Sequence, residues 1–140
     1  MARINRGRFV LGGLAAGVVM IAVQLLSTGL YVDEMFAILD AHQFSPPQSL
    51  ASLAVFCLMR FTWGFVALWF YTAARSRYGP GPKTAALVGF MFWLGGAFLA
   101  VVGYGMLGLF PTTMLALWAV ITLVGLMLST LVGAWIYREA

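Results

Sequence analysis

One arginine lies inside a stretch that is otherwise free of charge. The apolar run from Leu50 to Ala73 contains a single charged residue, Arg60, which is ten residues from Leu50 and ten from Phe70. In a helix this spacing puts Arg60 about 15 Å from either end, near the middle of a bilayer core that is roughly 30 Å thick. A guanidinium keeps its charge and offers five N–H donors. Arg60 therefore predicts binding of an anionic group: a carboxylate or phosphate, a lipid headgroup, or a partner's acidic residue.

Arg60 also has a purely structural interpretation. None of the long apolar stretches contains Asp or Glu, so no salt bridge within the chain is available at that depth. The guanidinium could instead donate to neutral side chains and backbone carbonyls while its stem extends outward. The neutral candidates share a position in the outer half of their stretches: Gln24, Ser27, Thr28, Tyr104 and Thr122. The candidate ligand-binding set is Arg60 with Gln24, Tyr104 and Thr122, and both interpretations stay open.

Few other residues could bind a metal, form a redox pair or act in catalysis. Cys57 and His42 are the single cysteine and the single histidine. A Cys-x-x-Cys redox pair, a structural zinc site with about four ligands and haem held between two membrane histidines are therefore excluded, and no metal or cofactor is predicted. No Ser–His pair or paired carboxylates occur within the apolar stretches, so the sequence favours a non-enzymatic protein.

The elements that position Arg60 are four long apolar stretches. The chain has 140 residues, of which 63% are hydrophobic and 9% charged, whereas a soluble domain carries roughly 25% charged residues. The stretches span about residues 9–32, 50–73, 84–109 and 113–137, and each reaches the roughly 20 residues that cross a bilayer. We therefore predict an all-α fold, a transmembrane bundle of four helices forming a single integral membrane domain.

Basic residues predict the orientation of the bundle. They precede the first stretch, fill the central loop and follow the last stretch, at Arg3, Arg6, Arg8, Arg75, Arg77, Lys83 and Arg138. The other two loops contain no Lys or Arg. The positive-inside rule therefore puts both termini and the central loop in the cytoplasm.

The central-loop cations could also hold anionic lipid headgroups. Arg75, Arg77 and Lys83 form this candidate set, at about 1 kcal/mol for each cation near an anionic surface. The alternative is that they serve only as topology anchors. A nucleic-acid partner is not expected, because no basic face interleaved with aromatics exists outside the stretches.

The first loop predicts a short helix. Its apolar residues Met35, Ile38 and Leu39 share one helical face, so we expect either an amphipathic helix on the outer surface, with Asp33 as its cap, or an extension of the first span. Ser49 is expected to start the next helix. The similar endings of the second and fourth stretches, Ala67–Tyr71 and Gly133–Tyr137, are consistent with a duplicated helical hairpin.

Small residues predict where the helices touch. Close packing at small side chains drives helix association in lipid, because lipid tails are as apolar as leucine. The candidates lie at helical spacing in three stretches: Gly13 and Gly17; Gly125, Ser129 and Gly133; and Gly89, Gly96, Ala100 and Gly103. The same stripes could serve a homo-oligomer or a partner membrane protein, and the sequence leaves the helix neighbours open.

Two segments carry a resemblance to other proteins. The run Arg75-Ser76-Arg77-Tyr78-Gly79-Pro80-Gly81-Pro82-Lys83-Thr84 and the ending Gly133-Ala134-Trp135-Ile136-Tyr137-Arg138-Glu139 resemble a group of small bacterial four-span membrane proteins of unknown activity. The resemblance implies a multi-pass protein of the bacterial inner (plasma) membrane. It implies no activity and no functional residues.

Two functions are therefore expected from the sequence. The first is non-enzymatic binding of a lipid, a small anion or a partner membrane protein. The alternative is a small oligomeric transporter or channel for an anionic solute that uses Arg60. Proton-coupled export of cations is not expected, because it needs a membrane carboxylate and this chain has Gln24 where an acid would be required.

Overall fold

The protein is built from helices alone over the part of the chain that the computed structural model describes, residues 5–137. In chain order the helices are α1 (Arg6–Thr28), α2 (Val32–Ala41), α3 (Leu50–Tyr78), α4 (Pro82–Phe92), a π-helix (Trp93–Phe98), α5 (Leu99–Met106) and α6 (Thr112–Ile136). Helix α4, the π-helix and α5 form one continuous span. Arg3 and Arg138, which contributed to the predicted orientation, lie outside the described residues.

Four helices are long and apolar enough to cross a membrane: α1, α3, the continuous third span and α6. The predicted all-α four-helix bundle is confirmed, with shifted ends. The first span ends at Thr28 rather than at residue 32, and the second continues to Tyr78 rather than ending at residue 73. Helix α3 continues because Arg75 and Arg77 in its last turn interact favourably with the helix dipole. It ends at Gly79, whose φ of 82° suits glycine.

Helix α2 is a separate helix and not an extension of the first span. A turn at residues 29–31 separates it from α1, and none of its residues is buried. Asp33 and Glu34 lie in its first turn, where negative charge is favourable. The prediction that Asp33 caps this helix is wrong, because the cap position is occupied by Tyr31.

Local capping residues fix the ends of the other helices. The Ser49 side chain accepts a hydrogen bond from the Ser52 backbone N–H at 3.1 Å and starts α3, as predicted. Pro82 occupies the first turn of α4, where its missing N–H is not needed. The Thr84 hydroxyl donates to the Gly79 carbonyl at 2.8 Å and closes the short turn between α3 and α4.

The spans form a ring in chain order. Helix α1 packs on α3 and α6, and α4 packs on the same two helices from the opposite side, while α3 and α6 also touch across the centre. The duplicated hairpin stays a prediction. We call the end of the bundle near Gly79 the basic side and the opposite end, which carries α2, the acidic side.

Helix α1 approaches its neighbours most closely at glycines. A Cβ on Gly64 of α3 would lie 2.6 Å from the Gly17 backbone nitrogen, and one on Gly12 would lie 2.8 Å from the Gly133 carbonyl oxygen. Real side chains do not tolerate such distances, so these positions require glycine. A buried hydrogen bond from the Ser129 hydroxyl to the Ala16 carbonyl, at 3.0 Å, joins α6 to α1 beside them.

The other small residues show which predicted faces make contacts. An added Cβ would meet Phe65 at Gly13, Phe61 at Gly17 and Met20 at Gly125. In the third span Gly89 lies against the α6 backbone, but an added Cβ at Gly96 or Gly103 would have no neighbouring atom within 4 Å. The prediction that Gly96 and Gly103 share a packing face with Gly89 is wrong, because the regular α-helix is interrupted after Phe92 by the π-helix, in which Gly96 lies.

Candidate functional site around Arg60

Arg60 points one of its donors at the first span. Its Nη2 atom donates to the Gln24 Oε1 atom at 3.3 Å, and its guanidinium lies 4.8 Å from the centre of the Phe56 ring. Its Nε atom is buried and has no hydrogen-bond partner within residues 5–137. A buried N–H donor without an acceptor is unfavourable by about 1–3 kcal/mol, and by more for a charged group. Arg60 is therefore incompletely satisfied by its own chain.

Gln24 is held in place from its other end. Its Nε2 atom donates to the hydroxyl oxygen of Tyr31, a residue that is only 9% exposed. The amide oxygen is thereby directed at Arg60. The only hydrogen-bond partner of the guanidinium among the described residues is thus a neutral group. A neutral amide leaves the positive charge of Arg60 uncompensated.

Two other predicted partners of Arg60 do not reach it. The Ser27 hydroxyl donates to carbonyls of its own helix, those of Val23 and Gln24, at 2.8 and 3.0 Å. The Thr28 hydroxyl donates to the Gln24 carbonyl at 2.7 Å. Bonds of this kind satisfy a hydroxyl in an apolar environment without another helix, so the prediction that Ser27 or Thr28 contacts Arg60 is wrong.

A cavity of about 430 Å³ adjoins Arg60. It brings together all four residues of the candidate ligand-binding set, Arg60, Gln24, Tyr104 and Thr122. Thr122 donates its hydroxyl hydrogen to the Trp118 and Ala119 carbonyls of α6, at 2.8 and 3.1 Å. It therefore offers the cavity an acceptor and a methyl group rather than a donor. Arg60 is the only cation among the residues that line the cavity, and no carboxylate is among them.

Aromatic rings form one wall of this cavity. Trp118 packs edge-on against Phe110 with ring centres 4.9 Å apart, against Tyr104 at 6.2 Å and against Tyr31 at 5.9 Å. Edge-to-face pairs of this kind are favourable by about 0.5–1.5 kcal/mol beyond their burial, so these contacts stabilise the wall. The site thus combines one fixed cation with flat apolar surfaces.

The π-helix directs the third span into the cavity. A π-helix places one more residue in a turn than an α-helix does, and each extra residue rotates the following part by about 100°. Ala97 within it, and Val101 and Tyr104 beyond it, line the cavity at helical spacing. Trp93, at the start of the π-helix, donates from Nε1 to the Ala119 carbonyl of α6 at 2.9 Å. This bond fixes the irregular segment against its neighbour.

The cavity is closed toward the basic side by packed side chains. Ala97 lies in a buried cluster with Met20 and Leu126, against which Trp63 and Trp93 pack. Leu68, Tyr71 and Val88 fill the next layer.

Sequence reasoning missed part of this site. Tyr31 was not among the predicted site residues, yet it holds Gln24 and packs on Trp118. Phe56 and Trp63 lie four residues before and three residues after Arg60, a spacing that places all three on one helical face. That spacing was a usable signal. No comparable signal in the sequence marks Trp118.

The three predicted lipid-binding cations differ in their aromatic contacts. The Arg75 guanidinium lies over the rings of Tyr71 and Tyr137, at 5.8 and 5.3 Å from their centres. Arg77 lies over the neighbouring ring of Tyr78, at 5.9 Å, and Lys83 is exposed at the start of α4. Arg75 therefore faces a different part of the basic side from Tyr78.

No group of three or more His, Cys, Asp or Glu residues that could hold a metal ion occurs within residues 5–137. Comparisons with known protein families, with curated proteins and with solved structures found no match. The function is therefore argued from the cavity around Arg60.

Proposed function

We propose that this protein binds an anionic molecule with an apolar or ring-shaped body in the cavity around Arg60. The observation that carries the proposal is the incomplete hydrogen bonding of the Arg60 guanidinium. It has one neutral hydrogen-bond partner and a buried Nε atom without any partner in the described chain. An anionic oxygen bound at the guanidinium supplies the missing negative charge.

The size and lining of the cavity support a ligand whose remaining part is apolar or ring-shaped. A volume of about 430 Å³ lies within the roughly 300–1,000 Å³ typical of small-molecule sites. The wall formed by Trp118, Phe110 and Tyr104 offers flat apolar surface on which a ring can pack. Binding of this kind needs no catalytic group and agrees with the expectation of a non-enzymatic role.

Isothermal titration calorimetry with a charged and a neutral probe tests this proposal. The purified protein in detergent is titrated with 2-naphthoate and with its neutral counterpart 2-naphthamide, with empty micelles as the blank. We expect 2-naphthoate to bind more tightly to the wild type. Arg60→Leu should reduce its affinity at least tenfold, because a hydrogen bond to a charged group contributes about 1.5–3 kcal/mol.

The control for this titration is Arg6→Leu, which removes an exposed cation at the start of α1. It should leave the affinity for 2-naphthoate unchanged. Equal binding of the acid and the amide by the wild type, or full binding of the acid by a folded Arg60→Leu protein, would refute the proposal.

Transport of the same anion is the second candidate, and the π-helix favours it. π-Helical segments are rare and frequently occur at functional sites, and this one contributes Ala97 to the cluster that closes the cavity toward the basic side. A change of the π-helix to regular α-helix would rotate that residue out of the cluster. Accumulation of 2-naphthoate in proteoliposomes above the level of protein-free liposomes distinguishes transport from binding alone.

We further propose that the basic side faces the cytoplasm of a bacterial inner membrane. The support is the charge asymmetry of the two ends, with Arg75, Arg77 and Lys83 at one and Asp33, Glu34 and Asp40 at the other. In a Cys57→Ser background, Ser76→Cys should then react with an impermeant maleimide only from the cytoplasmic face.

A further inference from the structure

A second apolar groove runs along the outside of the bundle between α3 and the third span. Its volume is about 610 Å³, and its lining is almost entirely apolar. Phe70, Ala74 and Tyr78 of α3 form one wall at four-residue spacing, and Leu87 and Met91 of α4 form the other. It shares no lining residue with the cavity around Arg60.

The floor of the groove consists of Val88, Phe92, Gly95 and Gly96. Val88 is 7% exposed, whereas an added Cβ at either glycine would meet no atom within 4 Å. The glycines therefore leave the inner end of the groove open rather than serving a contact within the chain. They lie in the π-helix, and a larger side chain there would fill the groove.

Two exposed cations neighbour lining residues at one end of the groove. The Arg77 guanidinium lies 5.9 Å from the centre of the Tyr78 ring, which lines the groove. Lys83 precedes Leu87 by four residues and so shares its face of α4. Both cations are exposed. The three acidic residues within residues 5–137, Asp33, Glu34 and Asp40, all lie on α2 at the opposite end.

The length of the groove matches one leaflet of a bilayer. Leu87 and Gly96 are nine residues apart, which corresponds to about 14 Å along the helix. One leaflet provides about half of a hydrocarbon core that is roughly 30 Å thick. An acyl chain entering at the cations would therefore reach the glycines near the bilayer centre.

We infer that this groove is a binding site for one anionic phospholipid. An acyl chain lies along Leu87, Val88 and Met91, and the lipid phosphate lies between Arg77 and Lys83. Arg75 takes no part, because it stacks on Tyr71 and Tyr137. The inference does not depend on Arg60 or on its ligand.

Native mass spectrometry with two lipids tests the site. The purified protein is incubated with equal amounts of phosphatidylglycerol and phosphatidylcholine that carry identical acyl chains. We expect the wild type to retain one phosphatidylglycerol in preference to phosphatidylcholine. The double variant R77A/K83A should lower that preference about fivefold for each cation removed. Gly96→Leu should reduce retention of phosphatidylglycerol by filling the groove.

Matched variants separate the groove from general effects of charge and bulk. Arg6→Ala removes an exposed cation from α1, which does not line the groove, and Gly103→Leu adds the same side chain to an open glycine outside it. Both should retain phosphatidylglycerol like the wild type, and far-UV circular dichroism checks that all variants are folded. Equal retention of the two lipids by the wild type would overturn the inference. Undiminished phosphatidylglycerol in R77A/K83A or in Gly96→Leu, or its displacement by inorganic phosphate alone, would also overturn it.

Discussion

In the half of the bundle nearest the basic side, α1 meets its neighbours through glycines, whereas the half nearest α2 contains a cavity lined by aromatic rings. In the first half, Gly64 and Gly17 bring α3 and α1 so close that an added Cβ would lie 2.6 Å from the backbone. In the second half, Trp118 contacts Tyr31 with ring centres 5.9 Å apart, and a cavity of about 430 Å³ remains.

The two halves of the bundle therefore have different roles: one stabilises the fold, and the other provides the cavity. Lipid tails compete equally well for apolar surface, so helices in a membrane associate through close packing at small residues. The glycine-rich half therefore holds the bundle together. The aromatic half lacks that close packing, and Arg60 and Gln24 line a partly open cavity there.

The largest effect is expected from a side chain added where the backbones are closest. Gly64→Leu places a Cβ 2.6 Å from the Gly17 nitrogen and 3.0 Å from the Gly13 carbonyl oxygen, and backbone atoms cannot move aside as side chains do. Overpacking of a well-packed site is unfavourable by about 1–3 kcal/mol and occasionally more, and we expect the upper end here. Size-exclusion chromatography in detergent and thermal unfolding should show aggregation or a strongly lowered Tm.

The control for Gly64→Leu is Gly103→Leu, because an added Cβ at Gly103 has no neighbouring atom within 4 Å. Its Tm should stay close to that of the wild type. A normal Tm for Gly64→Leu would show that the glycine-rich half is not what holds the helices together.

A smaller and more selective effect is expected from one atom changed beside Arg60. Gln24→Glu replaces the amide whose Oε1 atom lies 3.3 Å from Arg60 Nη2 with a carboxylate that pairs with the guanidinium. The protein should stay folded, but its affinity for 2-naphthoate in calorimetry should fall at least tenfold, because charge-assisted hydrogen bonds are about twice as strong as neutral ones. The Arg60 charge is then already compensated.

Gln48→Glu makes the same chemical change at an exposed loop position outside the cavity. It should leave the affinity for 2-naphthoate unchanged. Unaltered binding by a folded Gln24→Glu protein would mean that the anion does not meet Arg60.

The smallest effect is expected from one hydrogen bond in the glycine-rich half. Ser129→Ala removes the buried bond from the Ser129 hydroxyl to the Ala16 carbonyl, and such bonds in membrane proteins contribute about 0.6 kcal/mol on average. Equilibrium unfolding in mixed micelles should detect a loss of that size. Thr62→Ala is the control, because the Thr62 hydroxyl bonds to its own helix at Leu58. A loss comparable to that of Gly64→Leu would mean that hydrogen bonding rather than close packing dominates.

The features that the sequence predicted well depend on local properties. The four spans follow from apolar length, and the Ser49 cap and the Pro82 start of α4 depend on residues a few positions apart. The contact between Gln24 and Arg60 could be predicted because Gln24 lies in the outer half of its stretch, within reach of the long Arg60 side chain, and few other polar partners exist there.

The features that it missed depend on how the helices are rotated. Gly96 and Gly103 were expected to pack with Gly89, but the π-helix, in which Gly96 lies, interrupts the regular α-helix after Phe92. Tyr31, in the turn between α1 and α2, meets Trp118 of α6 only through the tertiary arrangement of the helices. Such an arrangement depends on contacts between residues far apart in the chain, which no local pattern in one sequence encodes.

The central claim is that the cavity around Arg60 holds an anion, and native mass spectrometry of the protein purified from its membrane tests it most directly. Wild type and Arg60→Leu are compared after gentle extraction, with the retained mass identified by fragmentation. We predict an anionic molecule bound to the wild type and lost from Arg60→Leu, with the Tm of the variant unchanged or slightly raised, because an apolar replacement of a buried charge is often neutral or stabilising. An identical spectrum for both proteins, or a variant that loses helix content and aggregates, would contradict the account and make Arg60 a structural residue.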